Sequence, residues 1–229
     1  MHEFDLLAPA EVDGKSRLSK AAADAIRECI LVNRFQPGDP LAEKRLAEQL
    51  KMSRTPIREA LRQLESEGLV RIMPGRGAFV APISIQDLKE ISDLRKALEC
   101  LAARTAVFRV PTSEIDRYEK RWLQVSEVLN QGGQVPWEEL SGLDNEMHSL
   151  ILEYCDNSRL KAIARILNSH IARYQSLAAR SLANARTTTQ QHLEILSIMR
   201  ERQADRLADA LARHIELSQH YILERYLKP

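Results

Sequence analysis

No run of this sequence approaches the ~20 apolar residues that a bilayer span requires, and its N-terminus lacks a basic start followed by an apolar stretch. Both absences point to a chain that stays in the cytoplasm and has no membrane partner. Cysteine is scarce: Cys29, Cys100 and Cys155 are odd in number, far apart, and form no CxxC pair. That suits a reducing compartment and excludes a cysteine-rich zinc module. GxSxG, HExxH, GxGxxG and a complete GxxxxGK(S/T) are also missing, as are repeats and low-complexity tracts. The signatures of common hydrolases, P-loop proteins and dinucleotide enzymes are therefore absent.

Net charge is nearly nil, +1 over 229 residues, which argues against a uniformly basic coat. The average hides a division. Residues 1–14 hold four acids and no Lys or Arg; residues 15–82 hold 13 Lys and Arg against 8 Asp and Glu, a local +5; residues 83–229 balance at 20 against 20. Positive charge is gathered on the segment that would meet phosphate.

That segment reads as two short helices and a turn. Leu46, Ala47 and Leu50 form one apolar stripe, and Ile57, Ala60, Leu61 and Leu64 another. Between them Ser53 or Thr55 can cap the second helix, Pro56 suits its first turn, and Gly68 stops it. A helix-turn-helix lays the start of its second helix in the major groove, where long cationic donors read base edges. Arg54 and Arg58 stand there, four apart on one face. Two short strands follow, around the tip Pro74-Gly75-Arg76-Gly77, and predict a β-hairpin wing with Arg76 reaching outward.

The run Pro37-Gly38-Asp39-Pro40-Leu41-Ala42-Glu43, then Leu46-Ala47, Ser53 to Leu61, Gly68-Leu69-Val70 and Gly75-Arg76-Gly77, closely resembles the winged helix-turn-helix of the GntR family of bacterial transcription regulators. The resemblance covers roughly residues 16–82. It implies DNA contact by Arg45, Arg54, Thr55, Arg58 and the wing residues Gly75, Arg76 and Gly77.

Residues 1–15 read as a loose arm. A supporting helix begins near Leu18 and ends near Asn33, and beyond Ser84 the periodicity is helical to the end. Helices are expected near 84–109, 112–131, 136–154, 157–181, 186–200 and 204–227, with a break at Asn184. The fold class is mainly α, with a winged helix-turn-helix (16–82) followed by an all-α antiparallel bundle (83–229).

Within the bundle's apolar stripes stand four residues of metal-ligand type. Asp144 and His148 are one turn apart among Leu140, Met147 and Ile151; His192 lies in line with Ile195, Leu196 and Met199; His214 lies in line with Leu207 and Leu211. A lone buried histidine is ordinarily a satisfied core residue. On one straight helix His192 and His214 would stand about 33 Å apart and could not share an ion. If the chain reverses near Gln203, both lie about eleven residues from the bend and come level. With Asp144 and His148 they make a three-histidine, one-carboxylate set suited to Zn first, and also to Ni, Mn or Fe.

Residues 83–229 also resemble the FCD effector domain of the FadR-like branch of that family. There a divalent metal is often held by Asp, His, His and His, and Asp144-Asn145-Glu146-Met147-His148, Gln191-His192 and Arg213-His214 match the pattern. The family's hairpin usually carries Gly-Asp where this chain has Arg202-Gln203. The resemblance implies that Arg95 faces the effector cavity, where a guanidinium beside a metal can receive a small carboxylate; Arg173, near Ile166 and His170 on its helix, is a weaker candidate. A buried ion pair with Glu99, one turn away, is the other reading of Arg95.

These features predict a cytoplasmic, homodimeric repressor type of regulator. It would bind a pseudo-palindromic double-stranded operator and respond to a small carboxylate effector. Two alternatives stand beside it: a sensor for which the ion itself is the signal, and a DNA-tethered metal hydrolase, whose available general base would be Glu146.

Overall fold

Apolar residues recurring every three or four positions produce nine helices and three short strands among the described residues. The computed structural model describes residues 15–32, 34–82, 84–177 and 182–227. The arm expected over residues 1–15, with His2, lies outside them save for Lys15, which begins the first helix. The chain divides between Ser84 and Ile85 into two units.

The first unit contains α1 (Lys15–Leu31), β1 (Pro40–Leu41), α2 (Glu43–Leu50), α3 (Arg54–Ser66), β2 (Val70–Met73) and β3 (Gly77–Val80). The stripes read from sequence are its core: Ile26, Ile30, Leu46, Leu50, Ile57 and Leu64 are all buried. Each such side chain contributes about 1.5–3 kcal/mol. Arg27 of α1 grips both carboxylate oxygens of Glu67, just past α3, at 3.0 and 2.8 Å, which ties the supporting helix to the end of the recognition helix. Lys51 closes the turn between α2 and α3 in the left-handed region (φ 54), and the Met52 N–H returns to the Ala47 carbonyl at 3.0 Å.

The wing is the β2–β3 hairpin, paired Val70 to Val80 and Met73 to Gly77. Its turn is made possible by Gly75 and Gly77, both at positive φ (72 and 97). The sheet has a third strand that the sequence did not suggest, because β1 is two residues long and too short to show a period of two. It pairs antiparallel with β3, Pro40 opposite Phe79. Ser53 occupies the N-cap of α3 without a side-chain cap bond, Thr55 lies inside the helix, and Pro56 is buried in its first turn.

The second unit is an all-helical bundle of α4 (Ile85–Ala106), α5 (Thr112–Asn130), α6 (Trp137–Tyr154), α7 (Ser158–Leu177), α8 (Leu182–Arg200) and α9 (Ala204–Leu227). Helix α4 packs on α6, α7 and α9, while α8 packs on α5 and α9. The break expected at Asn184 does not occur there, since α8 starts at Leu182 and runs through it. The buried Ala185, Thr188 and Thr189 anchor that first stretch, and packing overrides the local turn preference of Asn. No described helix is long and apolar enough to cross a membrane.

Candidate functional site

In the first unit the residues expected to meet DNA are on the surface. Arg54 and Thr55 open α3, Arg58 follows one turn on, and Arg45 lies on α2; all are exposed, as are Gly75, Arg76 and Gly77 at the wing tip. Helix dipole and cationic side chains coincide at the start of α3, which suits an anionic backbone. Arg58 Nε bonds Glu43 Oε2 at 2.7 Å, in a pair exposed enough to be worth under about 1 kcal/mol. Glu43 thus parks Arg58 without burying it.

In the second unit α6 carries Asp144 and His148, α8 carries His192 and α9 carries His214. All four are at most 1 % exposed. The chain reverses at Arg202, which takes the left-handed conformation (φ 57). The reversal sets His192 and His214 level, with ring centroids 4.4 Å apart. The carboxylate oxygen Oδ1 of Asp144 faces three imidazole nitrogens: His192 Nε2 at 3.1 Å, His214 Nε2 at 3.5 Å and His148 Nε2 at 3.9 Å.

One ligand atom from each of the four residues lies within 4.8 Å of the rest. Bonds near 2.1 Å in a tetrahedron leave neighbouring ligand atoms about 3.4 Å apart, so the three separations bracket what a single ion needs. His148 Nε2 and His214 Nε2 are buried and make no hydrogen bond. Lone pairs converging in this way fit a divalent cation.

The surroundings orient each ring. Glu99 of α4 receives His148 Nδ1 on Oε2 at 2.5 Å and Arg95 Nε on Oε1 at 2.7 Å. Burial would raise the Glu99 pKa, but Arg95 and His148 overcome it and lower it to about 2. An ionised Glu99 accepts only, so His148 carries its proton on Nδ1 and turns Nε2 toward Asp144. Gln191 Oε1 lies 3.1 Å from His214 Nδ1 and does the same for that ring. Trp122 stacks on His192 at 4.0 Å between centroids and 12° between planes.

Burial, and then the neighbouring His192, push the His214 pKa down to about 3, so this imidazole is neutral and able to ligate. Asp144 is held well below the usual carboxylate range: burial opposes this, but the imidazoles of His192, His214 and His148 facing it outweigh burial.

Arg95 is 3 % exposed and joins the cluster through Glu99, which is the ion-pair reading of that residue. Arg173 is buried on α7. Glu146 turns the other way, exposed and paired with Arg121 and Tyr118. His220 is exposed and pairs with Glu224 at 3.6 Å. Three orienting residues escape a sequence reading. Glu99 shows there only as a partner for Arg95, Gln191 only as a neighbour of His192, and Trp122 gives no signal.

A family model described as bacterial regulatory proteins, gntR family, matches residues 18–80, and a model of the FCD domain matches residues 90–217. The chain belongs to the GntR family. It is 32% identical over 192 residues to the Nta operon transcriptional regulator of Aminobacter aminovorans, covering 83% of this chain and 87% of that protein. It is 28% identical over 180 residues to the HTH-type transcriptional repressor RspR of Escherichia coli, covering 79% and 78%. Among solved structures it is similar to E. coli McbR/YncC, with a TM-score of 0.78 at 20% identity over 94% of this chain and 100% of that one. This GntR-family chain is a DNA-binding transcription regulator with an FCD domain, not an enzyme.

Proposed function

We propose that this GntR-family regulator represses transcription in the cytoplasm as a homodimer on a pseudo-palindromic operator. In this reading its bundle holds a divalent metal, zinc first, through Asp144, His148, His192 and His214. The observation that carries the metal reading is the convergence of three buried imidazole nitrogens on one carboxylate oxygen, two of them without a hydrogen bond. Bound there, the ion would supply a Lewis-acid centre for an oxygen of a small carboxylate effector. Arg95, whose Nε is engaged by Glu99, would offer its terminal nitrogens to the other oxygen. Arg173 is the second cation assigned to the acid. On the DNA side, Arg45, Arg54, Thr55, Arg58 and the wing at Gly75, Arg76 and Gly77 form the contact surface, supported by their shared exposure. Repression is favoured by the similarity to a protein named as a repressor.

A second reading, in which the ion itself is the signal, is favoured by how completely the four ligand residues are buried. One experiment separates the two. Protein purified without chelator is assayed for metal, then titrated against operator DNA with metal alone and with small carboxylates. About one ion per chain, and operator affinity that changes with acid only in the metal-loaded protein, support the first reading. A response to metal alone supports the second, and a metal-free protein sinks both.

A further inference from the structure

Helix α4 carries large apolar side chains on its outside. Leu94, Leu101 and Phe108 are 55, 54 and 65 % exposed and recur every seven residues along α4 and the turn after it. Seven residues fall only ~20° short of two full helical turns, so the three share one stripe. Exposed apolar patches of this kind mark surfaces that a partner covers. Ala97, small and exposed, sits mid-stripe between Leu94 and Leu101, with Glu90 in line at one end and Arg104 at the other.

Charge along the exposed face is polarised. The first half presents Asp87, Glu90 and Asp93 against Lys89 and Lys96, a net −1. The second half, with its following turn, presents Arg104 and Arg109, a net +2. Two such helices side by side in parallel would set like charge on like. Reversed, each negative half lies on a positive half.

We propose that this stripe of α4 is where a second copy of the chain docks, antiparallel, about a twofold axis near Ala97. With Ala97 opposite Ala97, Leu94 of each copy falls within one residue of Leu101 of the other, and Glu90 falls opposite Arg104. One patch on both copies then serves as its own complement, as a twofold contact requires. The alanine at the crossing lets the two helices approach, since interaxial distance is set by the side chains at the contact. Arg104 and Arg109 are now held by Asp205 and by Asp156, in exposed pairs weak enough to rearrange. The inference rests on the homodimer reading and assigns its surface.

Sedimentation equilibrium of the full chain tests it. The parent is a dimer, and Leu94→Glu with Leu101→Glu weakens association on the order of 100-fold or more by placing carboxylates in an apolar contact. Glu90→Arg and Arg104→Glu each weaken it, and the two together restore it, which also guards against a misfolded leucine variant. A parent that is monomeric overturns the homodimer reading itself. A dimeric parent whose association is unchanged in the leucine variant, or a double charge swap no tighter than either single one, overturns this surface alone.

Discussion

Glu99 Oε2 stands 2.5 Å from His148 Nδ1, across the interface between α4 and α6, and the other oxygen of the same carboxylate holds Arg95. A carboxylate in this place raises the basicity of the imidazole and fixes its tautomer, which is how outer groups support a metal ligand. Glu99→Gln can offer an amide N–H where an acceptor is needed and leaves the Arg95 charge unanswered. Metal affinity should fall about 10–100-fold with all four ligand residues in place. Competition against a chromophoric chelator measures it, and an unchanged dissociation constant would show that His148 needs no such support.

The bend between α8 and α9 gives a second prediction. Arg202 adopts φ 57, where a side chain costs about 1–2 kcal/mol relative to glycine. Its guanidinium donates to the carbonyls of Val107 and Val110 at 2.6 and 2.7 Å, satisfying acceptors just past α4. Arg202→Gly removes the strain and the two bonds together; Arg202→Ala removes only the bonds. Charge-assisted bonds are worth about 1.5–3 kcal/mol each. Denaturant midpoints should therefore rank parent above Gly above Ala, the last two separated by about 1 kcal/mol. A Gly variant more stable than the parent would mean that the two bonds contribute less than the backbone strain costs.

The same residue shows how far the chain could be read without coordinates. Replacement of the usual glycine by Arg202 was visible as a departure; its compensation was not, because the carbonyls it caps lie some 90 positions away in sequence. Local signals carried most of the rest. Stripes at helical spacing marked the six bundle helices, and the turn around Ser53 to Arg58 and the Gly75 to Gly77 tip marked the DNA-binding head. The clustering of Asp144, His148, His192 and His214 was legible because the level placement of His192 and His214 is a length argument. Glu99, Gln191 and Trp122 were not, since their reach to His148, His214 and His192 depends on packing between helices. Strand β1 failed for a related reason: its two residues are extended only because β3 lies beside them.

Acid should destabilise the metal-free bundle, and three groups agree in sign. His214 titrates near 3 when folded against an ordinary 6.5, so its protonation favours the unfolded chain and stability drains as pH falls from 6.5 toward 3. Glu99, lowered to about 2 from 4.5, contributes stability above 4.5 that is lost on the way down to 2, and Asp144 acts in the same direction. Between pH 6.5 and 4.5 the slope comes mainly from His214, on the order of 1 kcal/mol per pH unit. Thermal melts of chelator-treated protein across this range test it. His214→Asn should flatten the upper window while leaving the loss below 4.5.

At the DNA-binding head, Glu43 holds the Arg58 guanidinium that the proposed operator contact would need. Arg54→Ala at the start of α3 should cost about 1–3 kcal/mol on the true operator and little on unrelated DNA, if it reads a base edge. Arg76→Ala on the wing should weaken binding evenly across sequences and lower the salt slope by about one, the mark of a phosphate contact. Glu43→Gln removes the carboxylate that holds Arg58 at 2.7 Å. Because that exposed pair is worth under about 1 kcal/mol, operator affinity should rise by a few-fold at most, and only at low salt. Fluorescence anisotropy with operator and scrambled duplexes at two salt concentrations distinguishes the three. Weaker operator binding by the Glu43→Gln protein would mean that the ion pair positions Arg58 for the groove instead of withholding it.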